Sequence, residues 1–156
     1  MFGMLVQGDA APPFEMAASG GRTVSSAALS GRPYVLYFYP KADTPGCTAQ
    51  ACAFQEALPQ LGGIGVDVIG VSRDPIKAID RFAAKHGLAF PLASDAGALS
   101  DAYGVWAEKS MYGRKYMGML RATFLVDGAG VIARVWPAVK VPGHAAEVAK
   151  AAAGLG

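Results

Sequence analysis

Tyr34-Val35-Leu36-Tyr37-Phe38-Tyr39-Pro40-Lys41-Ala42-Asp43-Thr44-Pro45-Gly46-Cys47, continuing as Thr48-Ala49-Gln50-Ala51-Cys52-Ala53-Phe54-Gln55-Glu56-Ala57-Leu58, reads as a strand, a turn and a helix in succession. Residues 34–39 are aromatic, β-branched and apolar without interruption, the pattern of a strand buried on both faces. Pro40 stops it, and the stretch after the Pro-Gly turn meets no breaker until Pro59, which predicts a helix beginning close to Cys47. A sulfur at a helix start lies near unpaired backbone N–H groups and the positive end of the helix dipole, and both favour a thiolate. Cys52 falls in the second turn, where the amides are already bonded and the field is weaker. Cys47 is therefore the better nucleophile of the two.

Outward from this segment, residues 64–72 form a second apolar run, followed by Asp74 as an expected N-cap and Pro75 as the first residue of a helix ending near Gly87. Residues 90–93 suggest a short strand and residues 98–103 a short helix. Two further strands, residues 123–126 and 131–136, flank Asp127-Gly128-Ala129-Gly130, a hairpin with strong turn chemistry. A closing helix is expected over residues 144–153, between Gly143 and Gly154, and the segment before Tyr34, with Pro12 and Pro13, reads as irregular. The order predicts a thioredoxin-like α/β fold, a central mixed β-sheet with helices on both faces, built by residues 1–156 as one domain.

Hydrophobic residues make up 53% of the chain and charged residues 17%, enough apolar content for a packed core. The net charge of +2 is spread without any run of Lys and Arg, which argues against nucleic acid as a partner. The first nine residues lack the basic and apolar regions of a secretory signal, and no stretch reaches membrane-spanning length, so a cytoplasmic protein is expected. In that compartment structural disulfides stay reduced, and a close cysteine pair reads as catalytic or metal-binding. Either cysteine alone would read as a small buried core residue.

Thr44, three residues before Cys47, can turn a hydroxyl toward the sulfur, although a threonine in a turn is usually turn chemistry. Arg121 shares a strand face with Thr123, where an arginine is most often solvated, yet a guanidinium beside Cys47 would stabilise its thiolate and polarise an incoming oxygen. His86 and His144 sit at helix ends without ligand spacing to the cysteines, which argues against a Cys2His2 zinc site. Tyr103, Trp106, Tyr112 and Tyr116 form an aromatic-rich stretch read chiefly as core and loop packing, with a cover over the site as the alternative.

The pattern Pro-x-x-x-Thr-x-x-Cys, met by Pro40, Thr44 and Cys47, resembles the active-site signature of the peroxiredoxins. A second cysteine five positions on, Cys52, resembles the bacterioferritin comigratory protein, or peroxiredoxin Q, branch. Residues 103–106, 108–113, 121–127 and 143–148 are similar to later segments of that branch. The resemblance implies that Cys47 is the peroxidatic cysteine and Cys52 the resolving one, that Thr44 and Arg121 complete the peroxide site, and that Pro40 shields it from water. It also implies a hydroperoxide substrate, thioredoxin or a similar dithiol as reductant, neither metal nor organic cofactor, and a monomer. Gln50 departs from the glutamate common at this position, which removes a charge from the hydrogen-bond network around Cys47. Two rival readings stand beside this one. One is a thiol-disulfide exchange protein without peroxidase activity, although such proteins usually space their cysteines as Cys-x-x-Cys. The other is a zinc or protein-binding module on the same scaffold.

Overall fold

The structure is a computed structural model, and it describes residues 3–155. Of the expected domain, residues 1, 2 and 156 lie outside the described residues. The strands are β1 (Glu15–Ala18), β2 (Arg22–Ser25), β3 (Tyr34–Phe38), β4 (Asp67–Ser72), β5 (Leu92–Ser94), β6 (Trp106–Met111), β7 (Arg114–Met119), β8 (Ala122–Val126) and β9 (Ile132–Trp136). The helices are α1 (Pro45–Gly63), α2 (Ile76–Lys85), α3 (Ala98–Tyr103) and α4 (His144–Ala153). Seven strands make one sheet in the order β2-β1-β5-β4-β3-β8-β9, and β6 and β7 form a separate two-stranded ribbon. β3, β4 and β5 run parallel, while β8 and β9 add antiparallel on one side and β1 and β2 on the other. This is the mixed thioredoxin-like sheet that the sequence predicts.

Each residue of β3 is buried, and its alternation feeds two cores. Val35, Tyr37 and Tyr39 pack on one face with α1, α2 and α4, while Leu36 and Phe38 pack on the other with α3 and the N-terminal strands. Phe54 of α1 is fully buried and stacks on Tyr37 with centroids 4.7 Å apart. Burying a side chain of this size contributes about 1.5–3 kcal/mol. Gly70 of β4 makes room for the same tyrosine, because a Cβ there would stand 2.8 Å from Tyr37 Cζ.

The differences from expectation lie at edges and ends. The N-terminal segment is not irregular but carries the β1–β2 hairpin, whose short strands are half exposed and so lack an apolar run. Pro59 does not end α1. It sits inside the helix, which runs on to Gly63 because Leu61 is fully buried in the core. The missing Pro59 N–H leaves one intrahelical bond unmade. α2 starts one residue later than expected, with Pro75 at the N-cap position. The Asp74 carboxylate is occupied elsewhere, accepting from Ala42 N–H at 2.7 Å and from the Ser72 hydroxyl at 2.8 Å. The stretch read as aromatic packing is mostly the β6–β7 ribbon. Tyr103 is buried, but Tyr112 at its turn is 98% exposed and Tyr116 is also exposed.

Candidate active site

The register of the sheet sets the position of Arg121. β8 runs antiparallel to β3 with Ala122 opposite Phe38, so Arg121 lies level with Tyr39, where β3 ends and the chain turns toward α1. Its backbone carbonyl accepts from Val139 N–H at 2.9 Å, which anchors the main chain from the loop after β9. The half-buried guanidinium then reaches the first turns of α1. Its Nη2 donates to Cys47 Sγ at 3.3 Å and its Nη1 to Gln50 Oε1 at 2.6 Å. Cys47, Gln50, Ala51, Phe54 and Leu61 share the buried stripe of α1, which is why one fork of donors meets both Cys47 and Gln50.

The start of α1 is open to an anion. Thr44 is the N-cap residue and Pro45, which has no N–H, is the first helical position. The Thr44 hydroxyl donates to Lys41 carbonyl oxygen at 2.8 Å and makes no capping bond, so the amides of Gly46 and Cys47 remain without a side-chain acceptor. Uncapped amides at a helix N-terminus favour negative charge beside them, here next to the Cys47 sulfur. Gly46 also makes space. A Cβ there would stand 3.2 Å from Arg121 Nη2.

Of the residues expected to form the site, the structure brings Cys47 and Arg121 into contact, while Thr44, at the N-cap of α1, turns its hydroxyl to the Lys41 carbonyl rather than to the sulfur. Pro40, half-buried, follows the end of β3. Cys52 stands apart from this group. Both cysteines are free, Cys47 buried and Cys52 half-buried on another side of the same intact helix. Five residues of helix place their Cα atoms roughly 8–9 Å apart.

Gln50 takes up the place of the usual glutamate without its charge. Its amide oxygen takes the second donor of Arg121, while its buried Nε2 has no hydrogen-bond partner among the described residues. Lys109 of β6, in the segment 108–113 that resembles the family, lies near enough to Arg121 and Cys47 to feel their charge. Its stem crosses Gly118, with Cδ 3.1 Å from the place of a Cβ there. Burial and the Arg121 cation push its ammonium below the usual range while Cys47 pulls it back up, so it belongs to the same electrostatic group. His144 is buried between Phe54 and Trp136, its Nε2 2.8 Å from Thr123 Oγ1, and burial holds its pKa down at about 4. It packs α4 against α1 and the sheet. No group of three or more His, Cys, Asp or Glu among the described residues is arranged to hold a metal ion.

A buried cysteine at a helix start, with a guanidinium on its sulfur and a second cysteine in the same helix, is the framework of a cysteine-based redox protein. The AhpC/TSA family profile matches residues 7–135, and the chain belongs to that family. Peroxiredoxin Bcp of Escherichia coli is 41% identical over 141 residues, 90% of each chain. A structure of Xylella fastidiosa PrxQ, in a cysteine-to-serine variant, superposes with a TM-score of 0.91 at 38% identity, covering 99% of this chain and 98% of that one. The bacterioferritin comigratory protein of Xanthomonas campestris, solved in trapped intermediate and ligand complexes concerned with its alkyl peroxide reduction, superposes with a TM-score of 0.86 at 42% identity over 90% of each chain. These relatives place the chain in the bacterioferritin comigratory protein, or peroxiredoxin Q, branch.

Proposed function

We propose that this protein is a thiol-dependent peroxidase that reduces hydrogen peroxide and organic hydroperoxides through Cys47 and Cys52. The observation that carries the reading is the Arg121 donor 3.3 Å from the Cys47 sulfur at an uncapped helix start. The thiolate attacks the terminal oxygen of the hydroperoxide, the O–O bond breaks, and the departing alkoxide takes a proton to leave as an alcohol or water. Arg121 and the amides of Gly46 and Cys47 face the charge that moves from sulfur to oxygen, and Thr44 would join them by turning its hydroxyl away from Lys41. Cys47 is left as a sulfenic acid. The Cys52 thiol condenses with it, forming an intramolecular disulfide and water, and a dithiol protein of the thioredoxin kind reduces the disulfide by exchange.

The alkyl peroxide activity of the Xanthomonas campestris relative supports organic hydroperoxides as substrates. A cytoplasmic location fits a cycle that needs a steady supply of reduced dithiol, and a monomer suffices for it because both cysteines lie in one helix. No helix among the described residues is long and apolar enough to cross a membrane. The test is peroxide consumption coupled to thioredoxin, thioredoxin reductase and NADPH. Steady NADPH oxidation that depends on both peroxide and this protein is expected, and its absence with every dithiol donor would sink the proposal.

A further inference from the structure

The loop that leads into α1 is tied down just before the active-site turn. Ala42 N–H donates to the Asp74 carboxylate at 2.7 Å. The next side chain, Asp43, reaches the C-terminal end of α2, where Lys85 Nζ donates to its two carboxylate oxygens at 3.1 and 3.2 Å and His86 Nε2 lies 3.6 Å away. The His86 ring rests edge-on against Phe82, and its buried Nε2 has no hydrogen-bond partner among the described residues, so Asp43 is the acceptor it faces. Asp43 also holds a left-handed backbone, φ 62, a conformation that Asp adopts more readily than most L-residues.

None of these contacts serves the attack on peroxide, since the carboxylate meets α2 and not the sulfur. They bear instead on disulfide closure. The disulfide requires Cα atoms within about 7 Å, so the first turns of α1 must unwind before Cys47 reaches Cys52. A loop fixed four residues upstream of Cys47 resists that movement and confines it to the residues beyond the fixed point.

We propose that Asp43 is a positioning residue for the resolving step: its ion pair with Lys85, backed by His86, clamps the upstream end of the active-site loop to α2 and sets how readily Cys47 leaves its helical place for Cys52. The clamp rests on the peroxidase reading. The chemistry is unchanged, with a Cys47 sulfenic acid and a Cys52 thiol giving a disulfide and water. Only the population of the unwound conformer responds to the clamp.

Stopped-flow fluorescence on the full chain separates the two steps. Asp43→Asn removes the charge while keeping a residue that tolerates the left-handed conformation. Reaction with hydrogen peroxide is expected within about twofold of wild type, and disulfide formation about three- to fivefold faster, the scale of a single exposed ion pair. The double variant Lys85→Met/His86→Gln should show the same acceleration, and combining all three changes should add nothing further. Raising salt from about 0.02 to about 0.5 M should accelerate resolution in wild type and leave Asp43→Asn unmoved, a response that general loosening of the fold would not produce. An unchanged resolving rate in Asp43→Asn, or accelerations that add in the combined variant, would overturn the clamp. A wild-type protein that fails to consume peroxide at all would overturn the peroxidase reading, and the clamp with it.

Discussion

Arg121 Nη2 lies 3.3 Å from Cys47 Sγ, although the two residues are 74 positions apart in sequence. The contact exists because β8 pairs with β3 and delivers Arg121 to the level at which β3 gives way to α1. Half-buried and fixed by Gln50 at 2.6 Å, the guanidinium is oriented before any substrate arrives.

The two cysteines are expected to separate by role. Cys47→Ser abolishes turnover, whereas Cys52→Ser reacts once with peroxide and stops as a sulfenic acid or a mixed disulfide. Dimedone labelling with mass spectrometry after one equivalent of peroxide reads this directly. Single-turnover reduction surviving in Cys47→Ser and lost in Cys52→Ser would reverse the assignment.

Arg121→Lys keeps the charge but loses the planar fork that bridges Cys47 and Gln50, and peroxide reduction should slow by about 10- to 100-fold. Gly46→Ala tests the same geometry from the other side, because its Cβ would stand 3.2 Å from Arg121 Nη2 and displace it. A loss of about 3- to 10-fold in the peroxide step, with Tm little changed, is expected there. Wild-type rates in both variants would reduce Arg121 to a bystander.

Disulfide formation should unwind the beginning of α1. In the reduced form Cys47 and Cys52 occupy one continuous helix, about 8–9 Å apart at Cα, beyond the reach of a disulfide. Amide hydrogen exchange is expected to show lost protection across residues 47–55 in the oxidised form, with β3 and α4 unaffected. Equal protection in both forms would contradict the prediction.

Stability should fall on the acid side because of His144. Burial holds its folded pKa at about 4, below the 6.5 of an exposed histidine, so the unfolded chain takes up a proton first. The contribution is complete above about pH 6.5 and is lost as pH falls toward 4. His144→Gln keeps a partner for Thr123 but does not titrate. Between pH 7 and 4, wild type should lose about 3–6 °C more in Tm than this variant, and parallel melting curves across the range would refute the assignment.

Much of the fold is legible in the sequence because the deciding segments are strongly patterned. β3 and β4 are buried on both faces and read as apolar runs, the β8–β9 turn carries Asp127 and Gly128, and α4 lies between two glycines. Cys47 is legible from the turn and helix start around it. Arg121 becomes specific only with the family resemblance, since its partner is set by strand pairing that no local period encodes. The β1–β2 and β6–β7 hairpins escape for a different reason. β2, β6 and β7 are largely exposed, so no core face imprints an alternation on them, and β1, whose Met16 and Ala18 are buried in alternation, is only four residues long. The Asp43 contacts with α2 are likewise long-range meetings between segments that look ordinary one at a time.

Pro59 gives α1 a missing rung. Because it offers no N–H to the carbonyl of Gln55, the ladder of hydrogen bonds is interrupted between the cysteine-bearing turns and the stretch that Leu61 bolts into the core. The unwinding predicted on oxidation would meet a gap there rather than a continuous lattice, leaving the far end of the helix in place as a template. Rewinding after reduction would then need no fresh nucleus, only regrowth on the turns held by Leu61.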